Sequence, residues 1–141
     1  LSAIPNIRYL KAACGNLENI SLTQIQTPDD FIIYSGDDGL TLPIMSIGGR
    51  GIVSVASSII GKEINEMVAA FEQGDAKRAM ILHHEYFDVF KNLFCDTNPV
   101  PVKYALSKMG FDTEEVRLPM VQLQDQHKAI IDELLKKHQL I

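Results

Sequence analysis

At 141 residues, 46% hydrophobic and 22% charged, the chain is long enough for one domain with a real core and has the composition of a soluble globular protein. Its 13 basic against 18 acidic residues, a formal charge of -5, exclude the electrostatic footprint of a nucleic-acid or anionic-membrane binder, and no apolar run is long enough for a membrane helix. Cys14 and Cys95 are the only cysteines, too few for a disulfide framework and without metal-ligand spacing, so a reducing, cytoplasmic setting is expected, although the two could pair.

The chain opens at Leu1 without a methionine, a start that reads as a cut end with no signal peptide, and runs at once into IPNIRYLK. Alternation there predicts a strand with Ile7, Tyr9 and Lys11 on one face and Arg8 and Leu10 on the other, closed by a turn at Gly15 and Asn16. Residues 17–26 predict a short helix, Pro28 to Asp30 a turn, and FIIYSG, residues 31–36, a second strand. After GDDG, the segment LTLPIMSIGG reads as a short helix with Pro43 in its first turn and Gly48 and Gly49 as its stop; GIVSVAS, residues 51–57, then reads as a third strand, almost wholly apolar. Residues 62–73 predict an amphipathic helix with Ile64, Met67, Val68 and Phe71 on one face and Gly74 as its end.

From Asp75 to Phe94, Ala79, Met80, His83, Phe87, Phe90, Leu93 and Phe94 recur near the helical period and predict one long helix with an Asp cap. DTNPVPVK breaks it. A further helix is expected over 101–109 and a last one over 124–139, with Ala129, Ile130, Leu134 and Leu135 as its apolar face. Residues 1–73 therefore read as parallel α/β units and residues 74–141 as an all-helical region. Three strands cannot close a barrel, so the α/β part reads as incomplete, with further strands expected upstream or from another chain.

In parallel α/β folds the chemistry sits at the carboxyl ends of the strands, where the loops converge. Lys11 ends the first strand and SGDD the second, and the third can reach the same site. A lysine held in such a mouth loses water, and desolvation favours the neutral amine that can attack a carbonyl. The plainer alternative is that Lys11 carries its ammonium to solvent and has no chemical role. Asp37 and Asp38 place two carboxylates in succession, but neighbouring strand-end residues diverge and no third ligand stands at a matching spacing, so no metal is expected. The glycine-rich SIGGRG with Arg50 lacks the lysine and hydroxyl of a phosphate loop and reads as a helix stop. His83 and His84 read as packing residues, and His127 and His138 as surface positions.

Together these pieces resemble the C-terminal half of the dihydrodipicolinate synthase family of pyruvate-dependent Schiff-base aldolases, which also includes N-acetylneuraminate lyase. IPNIRYLKAACGN is similar to the family's IxNIxGIKEAxGD, with the lysine at Lys11; SGDD, GGRGIVSV and NPVPVKYAL follow in family order, the last similar to NPxPVKxAL. SGDD is closer to the synthase branch than to the lyases. Arg8 and Tyr9 depart from the small or apolar residues usual there, and Ala12 replaces an acid.

The resemblance implies strands six to eight of a TIM (β/α)8 barrel followed by an all-helical C-terminal region. It implies that Lys11 forms an imine with pyruvate, whose enamine attacks L-aspartate-4-semialdehyde in lysine and diaminopimelate biosynthesis. Gly36 and Val53 match positions whose backbones line the pyruvate pocket, and Asp37 and Asp38 would orient the second substrate. No cofactor is implied. The family's proton-relay hydroxyls, carboxylate-binding threonines and substrate arginine belong to the N-terminal half, so a missing half-barrel is the implied partner and the chain alone is expected to be inactive; a homotetramer is usual. Retro-aldol cleavage of a 2-keto acid such as N-acetylneuraminate, and an inactive assembly role, are the alternatives.

Overall fold

The computed structural model describes residues 1–111 and 113–141, which form two compact units: Leu1–Ser54 with Glu66–His83, and Val55–Asn65 with His84–Ile141. Among the described residues no helix is long and apolar enough to cross a membrane.

In the first unit the chain makes two tight turns, Ile4 N to Leu1 O and Ile7 N to Ile4 O, before strand β1, Tyr9–Ala12. Ile7 thus precedes the strand and packs with the core cluster instead of sharing a face with Lys11 as the alternation predicts. Helix α1, Leu17–Gln26, starts where the Asn16 side chain accepts a bond from Asn19 N at 3.0 Å, satisfying one of the unpaired amides of its first turn. Strand β2, Ile32–Ser35, runs parallel to β1 in the register Tyr9 to Ile32 through Ala12 to Ser35. A short 3-10 turn at Asp38–Leu40 leads into helix α2, Thr41–Ser46, with Pro43 in its first turn.

Helix α2 ends as the glycines require. Gly48 takes a φ of 108°, which favours glycine, and Gly49 N returns to Ile44 O at 2.9 Å. A Cβ on Gly49 would stand only 2.6 Å from Ile44 Cγ2, so SIGG is a close-packed helix stop.

The expected third strand over 51–57 is not formed as such; it contracts to one parallel bridge, Ser35 with Ile52. Arg50 N donates to Ile33 O at 2.9 Å, Ser35 N to Gly51 O at 2.8 Å and Val53 N to Ser35 O at 2.8 Å, so the segment does lie along the second edge of β2. Pairing stops there because Ser58 N and Ile59 N already bond the carbonyls of Val55 and Ala56, and helix α3, Ser57–Glu72, has begun. That helix starts earlier than the sequence predicts and leaves helical geometry at Ile60. Ala12, Ile20, Phe31, Ile33 and Ile44 form the core beneath the sheet, with Ile7, Leu40 and Ile47 packed against it.

Helix α4, Ala76–Glu85, and helix α5, Phe87–Asn92, replace the single long helix expected over 75–94. The break is Tyr86, at φ -104° and ψ 10°. Tertiary contacts override the local period: the Tyr86 ring lies 5.2 Å from that of His138, and Asp88 is held by Lys137 and His138. Met80, Phe87 and Phe94 are consequently exposed, while Leu82, Val89, Phe90 and Leu93 are buried.

In the second unit helix α6, Val100–Lys108, and α5 both pack on helix α7, Asp125–Lys137. The face α7 buries is Ile131, Leu134 and Leu135; Ala129 and Ile130, expected to share it, are exposed. The stripe continues at the next helical step to His138, whose side chain is 7% exposed and meets Asp88 at 3.0 Å. His127 is half-buried against Asp96 at 3.2 Å. Neither histidine is the surface residue that the sequence suggests.

Candidate active site

The register of β1 and β2 sorts their side chains between two faces, because paired residues on adjacent strands point the same way and successive residues point oppositely. Leu10, Ala12, Ile33 and Ser35 take one face, and the core cluster of Ala12, Ile20, Phe31, Ile33 and Ile44 lies there. Tyr9, Lys11, Ala13, Tyr34 and Gly36 take the other. The bridge between Ser35 and Ile52 places Val53, one residue on, beside Gly36 on that second face. Tyr9, Lys11 and Val53 are all exposed.

This second face is where the structure brings together Lys11, Gly36 and Val53. Lys11 is not enclosed by the described residues, contrary to the expectation of a desolvated mouth: three of the four residues of β1 are exposed. Its side chain nevertheless has a defined bed. A Cβ on Gly36 would lie 2.9 Å from both Cγ and Cε of Lys11 and 2.9 Å from Ala13 Cβ, so the absent side chain is what lets the lysine run across the strand end. Gly36 N in turn donates to Ala12 O at 2.7 Å, fixing the glycine backbone to the lysine's own strand.

The two adjacent acids part company. Asp37 is exposed, and its carboxylate accepts from Gly39 N at 3.0 Å, capping the 3-10 turn. Asp38 is 2% exposed and accepts a hydrogen bond from Ser54 Oγ. Its carbonyl accepts from Thr41 Oγ1 at 2.8 Å. The buried Ser35 hydroxyl joins the same turn: it donates to Asp37 O at 2.7 Å and accepts from Asp37 N at 3.1 Å.

Sequence reasoning brought Ser35 to this neighbourhood only as part of SGDD, and gave Ser54 and Tyr34 no place in it. Tyr34 could have been found from the alternation of FIIYSG once Gly36 was placed on the lysine's face, which puts Ser35 on the opposite one; the tie between Ser54 and Asp38 spans a helix and carries no local signal. The Tyr9 and Tyr34 rings lie 6.3 Å apart on the Lys11 face. Arg8 forms an exposed ion pair with Asp30, and Cys14 and Cys95 are both free thiols.

The arrangement presents one primary amine on an open face, bedded on glycine and flanked by backbone, which is the minimum equipment for nucleophilic attack on a carbonyl. Comparison with known proteins identifies the family. Residues 1–138 match the dihydrodipicolinate synthetase family. A 4-hydroxy-tetrahydrodipicolinate synthase of Archaeoglobus fulgidus is 45% identical over 141 residues, covering 100% of this chain and 49% of that protein. The crystal structure of a dihydrodipicolinate synthase from Thermotoga maritima superposes with a TM-score of 0.96 at 31% identity, over 99% of this chain and 48% of that one. That of a chloride-inhibited dihydrodipicolinate synthase from Acinetobacter baumannii, complexed with pyruvate, gives 0.93 at 32% identity, over 100% and 48%. The chain spans about half the length of the curated relatives it matches. With its lysine strand, its glycine and its family match running along nearly the whole sequence, the chain belongs to the dihydrodipicolinate synthetase family.

Proposed function

We propose that this chain supplies the Schiff-base strand of a pyruvate-dependent synthase that condenses pyruvate with L-aspartate-4-semialdehyde, and that β1, β2 and the 50–53 segment are strands six to eight of its barrel. The observation that carries the reading is the bed of Lys11: the amine-bearing chain lies across Gly36, on the face that also holds Val53 and opposite the packed core. Family membership and the pyruvate held by a relative of the same fold support the choice of keto acid.

In this reading the neutral Lys11 Nζ adds to the ketone carbon of pyruvate, and loss of water leaves an imine. The imine withdraws electrons from the neighbouring methyl carbon, so a proton departs and an enamine forms. The enamine carbon bonds to the aldehyde carbon of the second substrate; cyclisation and release of the lysine follow. Gly36 contributes by having no side chain, Val53 through its backbone, and the exposed Asp37 by orienting the second substrate. Proton relay and carboxylate binding fall to groups outside these 141 residues, on the remaining barrel strands.

The test is borohydride trapping in the presence of pyruvate, followed by peptide mass spectrometry on the completed barrel. An adduct on Lys11 that disappears in Lys11→Ala is expected. A completed enzyme that turns over normally yet carries no adduct on Lys11 would refute the mechanism.

A further inference from the structure

Asp38 follows the site glycine by two residues, yet its side chain does not take part in the open face. It is 2% exposed, and its carboxylate receives the Ser54 hydroxyl. Ser54 is the residue after Val53, whose amide bonds Ser35 O at 2.8 Å. The link therefore joins the turn that follows Gly36 to the segment that carries Val53. Backbone bonds hold that segment at Arg50, Gly51 and Val53, and the regular pairing stops there. Beyond the last of them, the side-chain bond from Ser54 to Asp38 also joins the strand end to β2's turn.

We propose that Asp38 is a positioning residue, which acts through Ser54 to hold the Val53 backbone level with Gly36 and so fixes one wall of the space in front of Lys11. A carboxylate is a strong acceptor, and a bond to it is worth more than one between neutral groups, so a part-buried bond to the buried Asp38 can set the wall. This assigns Asp38 a role distinct from contact with the second substrate, and it rests on the Schiff-base reading of Lys11.

The experiment compares Ser54→Ala, Ser54→Thr and Asp38→Asn with the parent in the completed enzyme, by the pyruvate dependence of borohydride trapping and by amide hydrogen exchange of residues 51–54. Ser54→Ala removes the donor; it is expected to raise the half-saturating pyruvate concentration about tenfold, the loss of one bond to a charged group, with the maximal trapping rate changed by less than about twofold. Ser54→Thr keeps the hydroxyl and restores the parent value. Asp38→Asn keeps the shape but not the charge, and falls between the two. Exchange at residues 51–54 speeds up in Ser54→Ala and not in Ser54→Thr.

A folded Ser54→Ala with unchanged half-saturation, or a Ser54→Thr as impaired as Ser54→Ala, overturns the proposal. If the parent enzyme forms no adduct at Lys11, the Schiff-base reading fails. The exchange data then still decide the clamp itself: protection at residues 51–54 that is indifferent to Ser54→Ala refutes it.

Discussion

Replacing Gly36 by alanine tests the geometry of the site at its tightest point. The added Cβ would sit 2.9 Å from Lys11 Cγ, Lys11 Cε and Ala13 Cβ, against 3.4 Å for ordinary contact, an overlap of 3.4 - 2.9 = 0.5 Å with three atoms at once. The lysine chain can escape by rotating, but Ala13 Cβ is fixed to the end of β1, and Gly36 N is tied to Ala12 O at 2.7 Å. Overpacking of this kind costs about 1–3 kcal/mol when the backbone must absorb it. The easier relief is to push Lys11 aside, and a misplacement of about 1 Å at a reacting group costs on the order of 100-fold in rate. Gly36→Ala is therefore expected to lower pyruvate-dependent borohydride trapping at Lys11 by roughly 100-fold, with only a modest fall in the thermal midpoint. Single-turnover trapping with quantitative mass spectrometry measures the first, and thermal unfolding followed by circular dichroism the second. A folded Gly36→Ala enzyme that traps pyruvate at the parent rate would show that the lysine does not depend on the glycine bed.

Three further outcomes follow from the rest of the chain. Tyr104 is buried in α6 and donates to Asp132 at 3.0 Å; burial first, then the hydrogen bond and charge of Asp132, raise its phenol to about 12. A raised phenol stabilises the fold fully below the ordinary tyrosine range and loses that contribution as pH rises through about 12. Tyr104→Phe should cost about 1 kcal/mol at neutral pH in denaturant melts, and the gap to the parent should close only in strong alkali. Burial opposes the charge on Asp88, but hydrogen bonds and charge from Lys137 and His138 outweigh it and hold the carboxyl below the usual carboxylate range. Its contribution is therefore present above the ordinary carboxylate range and disappears as pH falls through the lowered one, so the melting difference between parent and Asp88→Asn should shrink steadily below about pH 4. Ile33→Val deletes one methylene from a fully buried position on the core face and should cost about 0.5–1.5 kcal/mol in a denaturant titration while leaving trapping at Lys11 unchanged.

The parts of the structure legible in the sequence are those fixed by local chemistry. Asn16 before LENISL, Pro43 in TLPIMS and the glycines after it are short-range devices, and each works within a few residues of itself. Lys11 is a candidate from its place at a strand end, and only the family resemblance adds Gly36 to it; that the two share one face is seen in the paired strands. What escaped depends on residues distant in sequence. The helix expected over 75–94 breaks at Tyr86 because His138, 52 positions later by number (138 - 86), supplies a ring to stack on. The third strand shrinks to a bridge because Ser57 has already entered a helix, a competition that apolar GIVSVAS does not reveal. His127 and His138 looked like surface groups because histidine on a polar helix carries no sign of a carboxylate on another element.

The two faces of the small sheet also explain why strand composition alone left Lys11 ambiguous. A strand covered on both sides reads as a continuous apolar run, and one with a solvated side reads as a clean alternation. YLKA fits neither, since Leu10 is partly exposed and Tyr9, 64% exposed, is a large aromatic on the lysine's side. The pattern becomes intelligible when the sides have different duties: Ala12, Ile33 and Ser35 are buried and give the sheet its stability, while Tyr9, Lys11, Tyr34 and Gly36 are left to a surface that does not hold the unit together. A lysine snorkelling from a core strand would have its stem packed among apolar side chains. Lys11, paired with Tyr34, lays its stem across a glycine, where the absence of a Cβ leaves it room. On the Schiff-base reading proposed above, that room is what a nucleophile needs, because the aim of its amine then matters more than the burial of its stem.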